Sequence, residues 1–166
     1  MRRIALTLGF VCAAAAFAMP AAARESLGLY SGWGAFRDPA TPRCYAIAMA
    51  EPSAREREHQ PFAAVGTWPK RNVRTQIHFR LSRRSAADRP IVLAIGDRRF
   101  ALTGGGGDAW AANTADNAGI IAAMRSASSM RVSARDQRGR PFSDGWMLAG
   151  AASAMDAAAI ACARAG

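Results

Sequence analysis

Polar and apolar residues alternate most regularly between Val73 and Leu81, in VRTQIHFRL. Val73, Thr75, Ile77, Phe79 and Leu81 fall on one side, and Arg74, Gln76, His78 and Arg80 on the other. A period of two predicts a strand with one buried and one wet face, which puts His78 and Arg80 in solvent. The next segment, IVLAIGDRRFALT, has apolar runs on both sides of Gly96-Asp97. A two-residue turn opening on glycine predicts a type II′ hairpin there. CYAIAMA (44–50), FAAVGTW (62–68) and MRVSARD (130–136) read as further short strands, and GWGAF (32–36) as an opening one. Turn-rich stretches separate these pieces, so the expected fold is mainly β: an antiparallel sandwich or barrel-like domain.

Two segments carry a helical pattern instead. ADNAGIIAAMRS is expected to start with Asp116 as N-cap and to turn Ile120, Ile121 and Met124 inward. The alanine-dense GAASAMDAAAIACARA is the firmest helix in the chain, since alanine has the best helix propensity, with Ser153 and Asp156 as a capping pair. Leu148, Met155 and Cys162 recur every seven residues along one helical face. Cys162 therefore faces the core.

Where the chain resides decides what that cysteine does. Arg2-Arg3 precede an uncharged apolar run of 15 residues, Ile4–Ala18, followed by Pro20 and Ala21-Ala22-Ala23. This is the layout of a signal peptide cleaved after Ala23, and the run is shorter than the ~20 residues a spanning helix needs. Phe10-Val11 is too bulky for lipid attachment at Cys12. Residues 1–23 thus form the expected leader and 24–166 a single β-rich domain, of a length suited to one core. Cys44 and Cys162 remain, and an even pair in an exported protein predicts a disulfide. Small residues alternate along the strand after Cys44, at Ala46 and Ala48, leaving room for a helix to pack closely. The expected bond tethers the last helix to an early strand.

Without its leader the chain carries a net charge of about +8, nearly all from arginine, since Lys70 is the only lysine. Arginines cluster at 80–89, at Arg98-Arg99 and at 131–140. Export and the lack of interleaved aromatics argue against nucleic acid. Anionic lipid, lipopolysaccharide or an envelope protein is the expected partner, with Arg80, Arg83, Arg84, Arg98 and Arg99 as the anion-binding surface if the hairpins bring them together.

Signs of catalysis are weak. GGGGDA (104–109) fits G-x-G-x-x-A but lacks the acidic residue about 20 positions on that a dinucleotide site needs, so a turn before Trp110 is the better reading. His59 and His78 are the only histidines, which leaves no metal-ligand cluster, and no cofactor is implied. There is no G-x-S-x-G, and most acids sit in turns or caps. Trp33, Trp68, Trp110 and Trp146 read as core anchors.

Order and spacing over residues 33–165 resemble the invasion-associated locus B family of exported Gram-negative proteins. The resemblance is carried by RCYAIA (43–48), DAW (108–110), AMRSASSMRVSARDQRG (123–139) and SDGWMLAG (143–150), before a helix ending near Cys162. The chain has Trp146-Met147-Leu148 where the family usually has Tyr-Ser-Leu. The resemblance implies a compact β-rich periplasmic or surface-associated protein without a known catalytic centre. Two function classes follow: a non-catalytic envelope binding protein, or an envelope hydrolase with an unrecognised acid pair. A continuous arginine face would favour the first, a wet concave cluster of carboxylates the second.

Overall fold

The computed structural model describes residues 23–164. The expected leader, apart from Ala23, lies outside the described residues. Ten strands and two helices follow in order: β1 Glu25–Tyr30, β2 Trp33–Asp38, β3 Arg43–Met49, β4 Phe62–Trp68, β5 Val73–Arg80, β6 Ile91–Ile95, β7 Arg98–Gly105, β8 Asp108–Ala111, α1 Thr114–Met124, β9 Ser129–Arg135, β10 Pro141–Met147 and α2 Ala151–Ala163. The strands make one antiparallel sheet in the order β1-β2-β3-β4-β5-β8-β7-β6-β9-β10.

The sheet bends over on itself. Phe79 of β5 and Trp146 of β10 are five strands apart in the order, yet their rings lie 5.5 Å apart. Trp33 Nε1 of β2 donates to the Met147 carbonyl of β10 (3.0 Å), and the Glu51 N–H to the Gly145 carbonyl (2.8 Å). The Arg55 guanidinium reaches the Pro141 carbonyl at 3.3 Å. Three carbonyls of β10, those of Pro141, Gly145 and Met147, are thereby occupied by donors outside the strand ladder, which hinders pairing with another chain. The result is sandwich-like, and among the described residues no continuous ladder closes it into a barrel.

One apolar core fills the fold. It contains Trp33, Ile77, Phe79, Leu81, Leu93, Ile95, Ile120, Met124, Val132, Trp146 and Met155, all nearly or fully buried. Trp33 and Trp146 are the expected core anchors; Trp68 and Trp110 are half-buried. The β6–β7 hairpin turns at Gly96-Asp97 with positive φ at Gly96 alone, as type II′ requires. The glycine run forms the next hairpin. Gly106 and Gly107 have φ of +62° and +96° in a two-residue turn, and a Cβ on Gly104 would stand 2.1 Å from the Asp108 carbonyl oxygen.

α1 starts earlier than its sequence suggests. Its N-cap is Asn113, whose Oδ1 accepts the Asp116 N–H at 2.8 Å while its Nδ2 donates to the Asp116 carboxylate. Asp116 thus sits inside the first turn, where its charge also favours the helix dipole. α2 has no side-chain cap: Gly150 precedes it, and Asp156 instead holds Arg125 beyond α1 at 2.7 Å. Leu148 is buried but lies before the helix. Ala151, Ala154, Met155, Ala158 and Cys162 form the buried stripe of α2 at helical spacing. The stripe packs on β1–β4, and the Cys44–Cys162 disulfide joins it to β3 with Cα atoms 5.7 Å apart.

Candidate functional site

β6, β7, β9 and β10 turn an unusual outer face to solvent. Along β9, Met130, Val132 and Ala134 point inward, while Ser129, Arg131, Ser133 and Arg135 point out. Register aligns these outward positions with small partners. Gly145, Arg131, Ala94 and Arg99 form one row across four strands. Two strand spacings separate Arg131 from Arg99, or ~9.5 Å of backbone. The neighbouring row is Ser143, Ser133 and Val92. Glycine, alanine and serine keep the floor low, and the long arginines stand up from it.

The segment between β3 and β4 walls one side. Arg57 donates to the Glu51 carbonyl at 2.5 Å, and Arg55 to the Pro141 carbonyl. Together these elements enclose an open groove of about 1340 Å³. Arg55, Arg57, Arg89, Arg99, Arg131 and Arg135 line it, and Glu51 is the one carboxylate among its lining residues.

The partners of these arginines matter more than their number. Arg99 donates to the Gly96 and Arg98 carbonyls, Arg131 to Ser143 Oγ at 3.2 Å, and Arg135 to the Gly139 carbonyl at 2.8 Å. Arg89 alone of the six has a carboxylate partner among the described residues, its neighbour Asp88. The groove is therefore strongly cationic, and its guanidinium groups are oriented by neutral oxygens that leave their charge uncompensated.

The arginines singled out from sequence are distributed differently. Arg99 is in the groove. Arg98, beside it in the chain, lies over the Phe100 ring at 4.8 Å and donates to Gly119 of α1. Arg80 sits at the opposite end of the β7 ladder, because Asp108 pairs with both Arg80 and Gly105. That places it roughly 20 Å from Arg99, counting ~3.3 Å per residue. It is also neutralised, since its guanidinium meets the Asp108 carboxylate at 2.6 Å. Arg83 is held by Asp136 at 3.1 Å and by the Glu56 carbonyl, with its side chain 13% exposed. Arg84 is exposed and lies outside the groove. The structure joins Arg99 to Arg131, Arg135, Arg89, Arg55 and Arg57 rather than to Arg80 and Arg83.

Asp136 explains how Arg83 is withdrawn. One of its oxygens accepts the N–H groups of Arg138 and Arg140; the other accepts the guanidinium groups of Arg140 and Arg83. Burial pushes its pKa up, but the hydrogen bonds from Arg140, Arg83 and Arg138 outweigh that and bring it down to about 2.

The outward alternation of Arg131 and Arg135 was visible in MRVSARD. What sequence could not supply was the pairing of β9 with β6, which sets Arg131 beside Ala94 and Arg99. Arg55 and Arg57 lie in the charged, non-periodic stretch REREHQP between two strands, whose pattern carries no signal of where they point.

A second polar cluster lies on β5 and β8. His78 Nε2 meets Asp108 Oδ1 at 2.9 Å and stacks on Trp110 with ring centres 5.0 Å apart. His78 is half-buried on the outer face, as the alternation predicts. Among the described residues, no group of three or more His, Cys, Asp and Glu side chains is placed to hold a metal ion. No helix among them is long and apolar enough to cross a membrane. Comparison with known proteins found no matching family model, no similar curated protein and no similar solved structure.

Proposed function

We propose that this chain is an exported, non-catalytic envelope protein that binds the phosphate groups of an anionic envelope component in the arginine groove. The component is an anionic phospholipid or lipopolysaccharide. The leader-like N-terminus and the resemblance to invasion-associated locus B proteins support an address in the periplasm or at the cell surface of a Gram-negative bacterium. One observation carries the binding reading: five of the six groove arginines face neutral oxygens, so their charge is available to an anion. Guanidinium groups suit this task because their planar fork matches phosphate geometry. The hydrolase reading draws no support from a groove lined by a single carboxylate.

Co-sedimentation tests the proposal with three probes: neutral phosphatidylcholine vesicles, vesicles containing phosphatidylglycerol, and lipopolysaccharide aggregates. The protein is expected to pellet with one or both anionic probes at low salt and to be released as salt rises, because exposed charges are screened beyond ~10 Å at 0.1 M. A preference between the two anionic probes identifies the source of the phosphate. Equal binding to neutral and anionic vesicles, or no binding at either salt, overturns the proposal.

A further inference from the structure

A second cavity opens where β8 ends and the chain turns into α1. It has a volume of about 370 Å³ and is lined by Asn72, Arg74, Gln76, Trp110, Thr114 and Asn117, with Val73, Ala111 and Asn113 completing the wall. That volume lies within the ~300–1,000 Å³ of small-molecule sites. Among the described residues, no carboxylate lines it and Arg74 is its only charged residue. The wall is otherwise neutral: amide and hydroxyl groups, one indole, and the apolar side chains of Val73 and Ala111.

The backbone here is held in an unusual state. Thr75 has φ +47° and Asn72 has φ +54°. Positive φ is a genuine outlier for a β-branched residue and persists only where its surroundings impose it. The surroundings do so. Thr67 Oγ1 accepts the Thr75 N–H at 3.1 Å, and the Asn117 amide from α1 spans the strand, accepting from Ile77 N and donating to the Thr75 carbonyl, both at 2.9 Å. The Asn117 side chain thus takes the place of a neighbouring strand, and the sheet is left with a notch. Asn72, Arg74 and Gln76 are exposed at that notch; the hydrogen bonds of this segment come from the Asn72, Thr75 and Ile77 backbone and from Thr67 and Asn117, and none among the described residues involves those three side chains.

We infer that this notch binds a neutral sugar residue of an envelope glycan. Each amide offers two donors and two acceptor lone pairs, so Asn72 and Gln76 are free to bond hydroxyls in either sense, and Asn117 retains one N–H and one lone pair. An indole supplies the apolar wall that the C–H face of a pyranose requires, and its ring is fixed by the stack on His78. The absence of a lining carboxylate and the single cation match a neutral polyol rather than a metal ion or a polyphosphate. The notch is separate from the arginine groove, since the two share no lining residue.

The test is ligand-observed saturation-transfer NMR on the mature protein with methyl β-glucoside and di-N-acetylchitobiose. Saturation is expected on the pyranose C–H protons of at least one probe, with amide shifts in the labelled protein confined to residues 72–76 and 110–117. The Asn72→Gly, Gln76→Ala double variant removes two free amides while suiting the positive φ at position 72, and should weaken binding at least tenfold. Arg99→Ser, Arg131→Ser should bind sugar as the parent does. No transfer above a non-binding control, shifts mapping to the arginine groove, or undiminished binding by the double variant overturns the inference. The shift map on the parent protein decides the matter even if the double variant folds poorly.

Discussion

Asp136 receives two backbone N–H groups on one oxygen and two guanidinium groups on the other, so a single carboxylate fixes the turn after β9 and removes Arg83 from the surface. Its folded pKa of about 2 lies below the ordinary 3.8. The stability it contributes is therefore complete above the unfolded value and is lost as pH falls through the folded one. Melting temperature should decline as pH drops from about 4 towards 2. Asp136→Asn should melt lower at neutral pH and show a shallower acid decline, measured by circular dichroism across that range. An unchanged acid limb in the variant would contradict the role given to this carboxylate. Sequence revealed that acids sit in turns, but not which arginine each one captures. Asp136 lies 53 positions from Arg83, and Asp108 lies 28 from Arg80, and both contacts depend on how the strands pair.

Among the elements, α2 was the most legible from sequence and is the one most dependent on a covalent tie. Its alanines give it propensity, and Ala154, Ala158 and Cys162 lie flat on β2 and β3. Close packing of small side chains buries little area per residue, so the disulfide carries much of the attachment. Closing a loop of 118 residues stabilises a fold by about 3–5 kcal/mol in the chain-entropy model. Cys44→Ser and Cys162→Ser should each lose that amount in denaturant unfolding, and the double variant should lose no more than either alone. A full additive loss would show that each sulfur acts by packing and not through the bond. At α1, Asn113→Ala should cost about 1 kcal/mol by removing the N-cap. The strand alternation at β5 and the hairpin at Gly96-Asp97 were readable because both are local patterns. β1 was missed, since ESLGLY has no clean alternation and sits at the sheet edge, and the cap of α1 was misplaced because Asn113 and Asp116 are both good capping residues.

Across the whole molecule, the proposed binding depends on how one sheet bends. The fold class follows from short strands and turns, but the order β7-β6-β9-β10 does not, and that order builds the arginine groove. Arg99 and Arg131 belong to strands separated in sequence by a hairpin and a helix; only the pairing of β6 with both β7 and β9 makes them neighbours in one row. Under the proposed function, this row, and not net charge, attracts the anion. Two variants that lose the same charge separate these possibilities: Arg99→Ser, Arg131→Ser in the groove, and Arg71→Ser, Arg84→Ser outside it. All four side chains are exposed, so both variants should fold. At ~1 kcal/mol per arginine near an anionic surface, the groove variant should bind about thirty-fold more weakly. The most direct measurement is the partition of parent and both variants onto phosphatidylglycerol-containing vesicles and lipopolysaccharide at low salt. The groove variant should lose binding while the other stays within a few-fold of the parent; equal losses in the two variants would show that net charge, and not the row, attracts the anion.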